Sequence, residues 1–175
     1  MSVKYFLAAI AFLAGIVLLV AVIGALLPEK HTATAEASFH QPPSAVWQAI
    51  TDYAKFPTWR ATITRTQPLL PVNGNPSWIE VDTHANAIPY EGIEYTPPQR
   101  LVTRIADPKL PFGGTWTYEI TPTPTGSTLR ITENGEVHNV IFRFMSRFVF
   151  GQRSTIDTYL KALGAKFGET TEVKD

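Results

Sequence analysis

The chain has 175 residues, of which 45 % are hydrophobic and 17 % charged, enough for one globular domain plus an additional apolar segment. Fifteen basic and fifteen acidic side chains cancel to a formal net charge of zero, and neither sign is gathered in a block, which argues against nucleic acid as a partner. The absence of cysteine removes disulfides, thiolate metal sites and a cysteine nucleophile together.

Residues 1–4 form a short stub. Residues 5–27 read YFLAAIAFLAGIVLLVAVIGALL, without a charge, a proline or a strongly polar side chain. At about 1.5 Å per residue this makes a helix of roughly 34 Å, enough to cross a hydrocarbon core of about 30 Å. The rival reading is a cleaved signal peptide, for which Ala33-Thr34-Ala35 would serve as the cleavage site. Cutting there would remove half of the first strand, so an uncleaved single-pass anchor is the better reading. Lys4 before the helix, against Glu29 and Lys30 that cancel after it, places the N-terminus in the cytoplasm and the soluble domain on the outer side.

Residues 28–30 are a linker, with Pro28 ending the helix. HTATAEASF, residues 31–39, alternates as a strand does. Ser44 is the expected N-cap of SAVWQAITDY, in which Val46, Trp47, Ile50 and Tyr53 share a face, and AKFPTW adds a second short helical turn. Extended runs follow at 63–70, 77–84, 88–95, 101–106, 115–121 and 128–137, separated by loops rich in proline, glycine and asparagine. From Asn139 onward Ile141, Phe144, Met145, Phe148, Gln152, Ile156, Tyr159, Leu160, Leu163 and Phe167 recur at steps of mostly three and four, which predicts a helix with one apolar side. Gly151 costs about 1 kcal/mol inside a helix, so a break there is expected, with the main helix running from about Gln152 to Phe167. Residues 169–175 read as a flexible tail.

A strand, two short helices, a run of strands and a final long helix define an α+β chain. No second helix of similar length exists in the soluble part, so a curved antiparallel meander of about six to seven strands must cover the last helix. The opening PPSAVWQAITDYAKFPTW and the ending ITENGEVHNVIFRFMSRFVFGQRSTIDTYLKAL resemble the SRPBCC superfamily (START-like, Bet v 1-like), in particular its polyketide cyclase/dehydrase and lipid-transport branch, over residues 31–168. The resemblance implies the helix-grip fold and a deep apolar cavity between sheet and helix. It does not name an activity, because ligand carriers, cyclases, hydroxylase subunits and chaperone cofactors share the scaffold.

Within that frame Trp47, Phe56, Trp59, Trp78, Tyr90, Trp116, Tyr118, Phe144, Phe148 and Tyr159 are the candidate ligand-binding residues, with Phe112 in the same aromatic set; core filling is the competing role for each. Glu133 is in phase with the apolar Leu129 and Ile131, so its carboxylate points inward and is the best candidate for a general acid or base. A salt bridge to Arg130, Arg143 or Arg147, or a helix cap near Asn139, is its structural alternative. Glu80, Asp82 and His84 share one face of a strand, a conceivable metal or acid/base cluster; with Ile79, Val81 and Thr83 taken as the buried face, a solvated outer face is the better reading of them. Tyr90, Glu91, Glu94 and Tyr95, joined by Arg104 or Asp157, form a polar patch able to orient a substrate carbonyl or to line an ordinary surface strand. Arg143, Arg147 and Arg153 lie along one side of the C-terminal segment, on a solvated face or against anionic headgroups.

His31, His40 and His138 lack a chelating spacing, so neither a metal nor any cofactor is expected. No nucleophile elbow, HExxH, P-loop or dinucleotide-binding glycine run is present. The functional expectation is a membrane-anchored, monomeric soluble domain that binds a lipid or another hydrophobic small molecule as carrier or sensor. The alternative is a polyketide cyclase/dehydrase-like enzyme using the in-facing carboxylate; a third reading is a groove that receives a peptide or partner protein.

Overall fold

A computed structural model describes residues 3–175. The apolar N-terminal stretch is one helix, α1 (Val3–Leu26), of 24 residues. After a three-residue link the chain enters β1 (Lys30–Phe39), then α2 (Pro43–Thr51) and a 3-10 helix (Tyr53–Thr58). Six antiparallel strands follow: β2 (Ile63–Pro68), β3 (Ser77–Asp82), β4 (Ala87–Thr96), β5 (Arg100–Ile105), β6 (Phe112–Thr123) and β7 (Gly126–Val137). The C-terminal part consists of α3 (Val140–Met145), a π-helical turn (Ser146–Phe150), α4 (Ser154–Lys166) and a short β8 (Val173–Lys174).

The strands form one sheet in the order β2-β3-β4-β5-β6-β7-β1-β8. The meander from β2 to β7 needs only short links, and β1 closes onto β7 from Lys30↔Glu136 to Phe39↔Ser127. Register shifts at Ile63/Arg65 and Gly92/Glu94 put bulges into the sheet, the device by which a sheet bends. The outer face of β1 and β7 is polar and paired across strands: Thr34 with Thr132, Ser38 with Thr128, and Arg130 with Glu36 at 2.7 Å. The inner face carries Ala35, Ala37, Ile120, Leu129 and Ile131, which meet Val46 and Ile50 of α2 and Ile156, Leu160 and Leu163 of α4 in the core.

Three local expectations are corrected. Ser44 is not the cap of α2: the cap is Pro42, two residues earlier, and the helix starts at Pro43, whose fixed φ and missing N–H suit the first helical position; no side chain caps it. The chain after α4 is not a free tail, because Glu169 accepts hydrogen bonds from the His40 N–H and the Gln41 side chain, and Val173 and Lys174 pair with β1. That pairing makes the eighth strand. The sheet is therefore one strand larger than expected, an addition too short to carry a periodic signal.

The break at Gly151 is present. With φ of 79° it occupies the left-handed region, and the helix stops as a π-turn before restarting at Ser154. Asn139 starts α3 by accepting from the Ile141 and Phe142 amides at 2.9 and 3.1 Å.

Arg143 departs furthest from the solvated-face expectation. It is 7 % exposed and donates to the carbonyls of Val137, His138, Leu27 and Gly24 and to the Glu29 carboxylate at 2.8 Å. One guanidinium thus ties the C-terminal end of α1 to β7 and α3, and satisfies carbonyls that a helix end leaves without partners. Gly24 is the only buried residue of α1, and a Cβ there would collide with the Val140 carbonyl. Helix α1 is docked on the domain rather than loosely tethered.

Candidate functional site

Between the sheet and α4 lies a cavity of about 520 Å³, within the range of small-molecule sites. Its wall is largely aromatic and aliphatic: Trp59, Trp78, Ile88, Tyr90, Ile105, Phe112, Trp116, Tyr118, Tyr159 and Ala162. The polar groups among them come from separate elements: Arg60 after the 3-10 helix, Glu80 on β3, Thr103 and Arg104 on β5, Glu133 on β7, and Ser154, Thr155 and Thr158 on α4.

The aromatic residues are fixed by one another. Trp59 and Trp116 stand edge-on to Tyr159 at 5.3 and 5.8 Å, Tyr118 lies 5.9 Å from Tyr159, and Trp78 stacks between Tyr53 and Tyr90 at 3.7 and 5.6 Å. Of the predicted ligand-binding residues, Trp59, Trp78, Tyr90, Trp116, Tyr118 and Tyr159 are on the wall, and Phe112 joins them. The other four are elsewhere. Trp47 packs against Tyr95, Phe56 is buried behind Trp59, and Phe144 and Phe148 pack on each other at 5.0 Å outside the cavity. Those two were placed by helical spacing running through residue 150, and the π-turn and the Gly151 break rotate them off the face that α4 turns to the sheet.

Glu80, expected in solvent, is instead buried on the cavity side of the sheet. It is 4 % exposed, on the cavity wall, and accepts from Arg60 Nη1 at 2.9 Å and Trp78 Nε1 at 3.0 Å, both on Oε1. A buried carboxylate needs such partners. Arg60 is held in turn over the rings of Phe56 and Tyr159, 4.8 and 5.1 Å from their centroids. Burial works against the Arg60 charge, and the Glu80 carboxylate more than offsets it. Ile79 and Val81, expected inside, are only partly covered. A signal was available: Trp78 and Glu80 are two residues apart on one strand and must share a face, so a Trp78 facing the cavity requires a Glu80 beside it. Asp82 and His84 do not join it. Asp82 instead holds the β3–β4 turn through the His84 and Asn86 amides.

Burial pushes the hydroxyls of Tyr90, Tyr118 and Tyr159 upward, with the Glu80 charge adding to it, so each remains a neutral donor. Two donors on the wall, Tyr159 Oη and Trp59 Nε1, are buried with no hydrogen-bond partner. Such atoms are rare in native interiors and mark where an acceptor belongs.

Glu133 faces the cavity, as its phase with Leu129 and Ile131 requires. None of its expected ionic partners is there: Arg130 pairs with Glu36, Arg143 with Glu29, and Arg147 bonds Gln152. Its neighbours are Thr155 Oγ1 at 3.4 Å and His31 Nε2 at 3.8 Å. Burial raises the Glu133 pKa, and burial lowers that of His31. Both shifts come from burial and run opposite to those a charged partner would impose.

The raised pKa makes a stability prediction. The neutral form of Glu133 is favoured in the folded state, so its contribution is fully present below the ordinary value of 4.5 and is lost as pH rises through the folded value. Glu133→Gln keeps the neutral shape at all pH. Melting curves should show it more stable than the parent at pH 7.5, with the gap closing by pH 4; a gap independent of pH would exclude burial of an ionisable carboxylate here.

The second polar patch divides. Tyr90 joins the cavity, Glu91 is buried in an ion pair with Arg104, Glu94 pairs with Arg100 at 3.0 Å, and Asp157 pairs with Arg153 rather than reaching the wall. Among the described residues no group of three or more His, Cys, Asp or Glu side chains is arranged to hold a metal ion.

A bent antiparallel sheet closed by a C-terminal helix over an aromatic cavity defines an α+β domain of the START-like type. Residues 30–167 match the family described as polyketide cyclase / dehydrase and lipid transport, and the chain belongs to that family. No curated protein matches it. Among solved structures, a protein of Mesorhizobium loti superposes with a TM-score of 0.61 at 18 % identity, covering 79 % of this chain and 97 % of that one. A START superfamily protein of Mycobacterium smegmatis gives 0.58 at 16 % identity, over 79 % and 97 %. The di-domain ARO/CYC StfQ of the steffimycin biosynthetic pathway gives 0.57 at 14 % identity, over 80 % of this chain and 52 % of that one. At these identities the likeness is one of fold.

Proposed function

We propose that the protein is a membrane-anchored binder of a hydrophobic small molecule, lipid-like or polycyclic, with an oxygen-bearing polar end. One observation carries this: an aromatic cavity of about 520 Å³ whose wall holds a neutralised Arg60–Glu80 pair and two unpartnered donors, Tyr159 Oη and Trp59 Nε1. The apolar wall takes the body of the ligand and the donors take its oxygen, which fixes orientation at little cost in desolvation. The anchor reading of α1 is supported by its docking through Arg143 and Gly24, and by the fact that cleavage at residues 33–35 would cut a strand whose Ala35 is fully buried opposite Ile131. The charge bias around the helix, Lys4 before it against Glu29 and Lys30 that cancel after it, supports an outer side for the soluble domain.

Three of the four tryptophans, Trp59, Trp78 and Trp116, line the cavity, so intrinsic fluorescence reports its occupancy. Delipidated full-length protein should show a shifted emission maximum relative to protein as purified, and a lipid extract of the host membrane should reverse the shift. Ala162→Phe, which fills the wall from α4, should abolish the response. An emission indifferent to extraction and to Ala162→Phe would remove the binding reading.

A second reading, proton transfer to or from the bound molecule in the manner of a cyclase or dehydrase, is favoured by Glu133 on the same wall, whose pKa burial raises. Glu133→Gln separates the two: a carrier keeps its bound molecule and turns nothing over, whereas an acid/base catalyst loses turnover with binding retained.

A further inference from the structure

Outside the cavity, the segment from α3 through the π-turn exposes an apolar patch that the domain does not cover. Ile141, Phe142, Phe148, Val149 and Phe150 are 43–59 % exposed, in a stretch of ten residues, 141–150. Contiguous exposed aromatics of this kind mark an interaction surface. Its position says which. α3 packs against the C-terminal end of α1, where Arg143 and the Gly24–Val140 approach hold the two together.

The length of α1 adds a second, independent argument. Residues 3–19 are exposed throughout, and contact with the domain begins at Val20. That free stretch of about 17 residues spans only roughly 25 Å, short of a hydrocarbon core of about 30 Å. To cross it, the covered turns of α1 must enter the membrane as well, and α3, fixed to them, goes with them to the interface.

We propose that residues 141–150 form a second membrane contact, lying in the headgroup and acyl boundary of the bilayer that α1 crosses, so that the ligand cavity opens against lipid. The proposal rests on the anchor reading of α1 given above. Phenylalanines suit the acyl side of this boundary, and the exposed Arg147 among them suits the headgroups. The connection to the cavity is direct in the chain: after Gly151 the next element is α4, whose first residues, Ser154 and Thr155, are on the cavity wall. A ligand that exchanges with the bilayer then needs no passage through water.

The chain has no cysteine, so single labels can be introduced without background. Nitroxides on Phe142→Cys, Phe148→Cys and Phe150→Cys, in the full chain reconstituted into nanodiscs of phosphatidylcholine and phosphatidylglycerol, report collision with apolar oxygen and with a water-soluble nickel chelate. Leu13→Cys within α1 and Leu70→Cys, on a loop where Leu70 is 87 % exposed, are the lipid and water references. All five sites are on exposed surface, so folding is preserved. Positions 142, 148 and 150 should favour oxygen over nickel several-fold, as position 13 does and position 70 does not. If position 13 is in lipid while 148 and 150 are as accessible to nickel as 70, the interfacial contact is overturned and the anchor stands. If position 13 is itself accessible to nickel, the anchor reading falls and this inference with it. Shielding of 148 and 150 accompanied by dipolar broadening between labels would assign the patch to a second copy of the chain and overturn the lipid contact.

Discussion

Glu80→Gln is expected to destabilise the domain by about 3 kcal/mol, the cost of leaving one partner of a buried ion pair without its counter-charge. Arg60 would remain among Phe56, Tyr159 and Trp59 with only a neutral amide to bond, while the new amide oxygen would still accept from Trp78 Nε1. For a chain of this size that loss lowers the melting temperature by roughly 6–12 °C. Adding Arg60→Met removes the stranded charge and should recover more than half of the loss, because a buried pair replaced by neutral groups of similar volume is often near neutral in stability. Binding should separate from stability: the double variant recovers most of the lost melting temperature and does not recover binding. Equal losses in the single and double variants would mean that the pair is not coupled. By contrast, Arg130→Gln, which breaks the exposed pair with Glu36 on the outer face of the sheet, should leave the melting temperature nearly unchanged.

The second large effect is expected at Arg143. Arg143→Met leaves the carbonyls of Gly24, Leu27, Val137 and His138 and the carboxylate of Glu29 without their shared donor. The loss is about 3 kcal/mol, taken at the junction of α1, α3 and β7 rather than across the sheet, whose core lies between β1, β6, β7 and α4. Hydrogen exchange in nanodiscs should therefore show faster exchange of amides near residues 26–30 and 138–145, with the amides of β6 and β7 around Ile120 and Leu129 protected as before. Arg143→Lys should fail to restore the junction, because an ammonium has three donors at one point and the acceptors surround a planar guanidinium. Unchanged exchange at the junction would show that the helix is docked by something else.

Much of the architecture was legible because it rests on local chemistry. The strand runs are bounded by proline and glycine clusters, Gly151 announces its own break, and the 3.6-residue period from Ile156 to Leu163 places α4 on the core. Glu133 was legible for the same reason, since alternation on β7 is unbroken from Leu129 onward. What could not be read locally are groups whose state depends on a partner far along the chain. Glu80 looks like a solvent residue until Arg60, twenty positions earlier, is folded over it. Arg143 looks like one until the end of α1, more than a hundred residues away, is brought under it. Phe144 and Phe148 fail differently: a π-turn changes the number of residues per turn, so a spacing argument carried across it assigns the wrong face. Glu80 and Arg143, both buried and charged, are thus places where sequence pattern and structure part.

The proposed function requires that the cavity hold a molecule. The most direct measurement is native mass spectrometry of the full-length protein released from nanodiscs, run beside Ala162→Phe and the Arg60→Met/Glu80→Gln double variant. The account predicts a bound apolar species close to one per chain in the parent and its loss in both variants with the fold intact. A parent chain that flies empty, or carries the same species at the same occupancy in all three proteins, would contradict it.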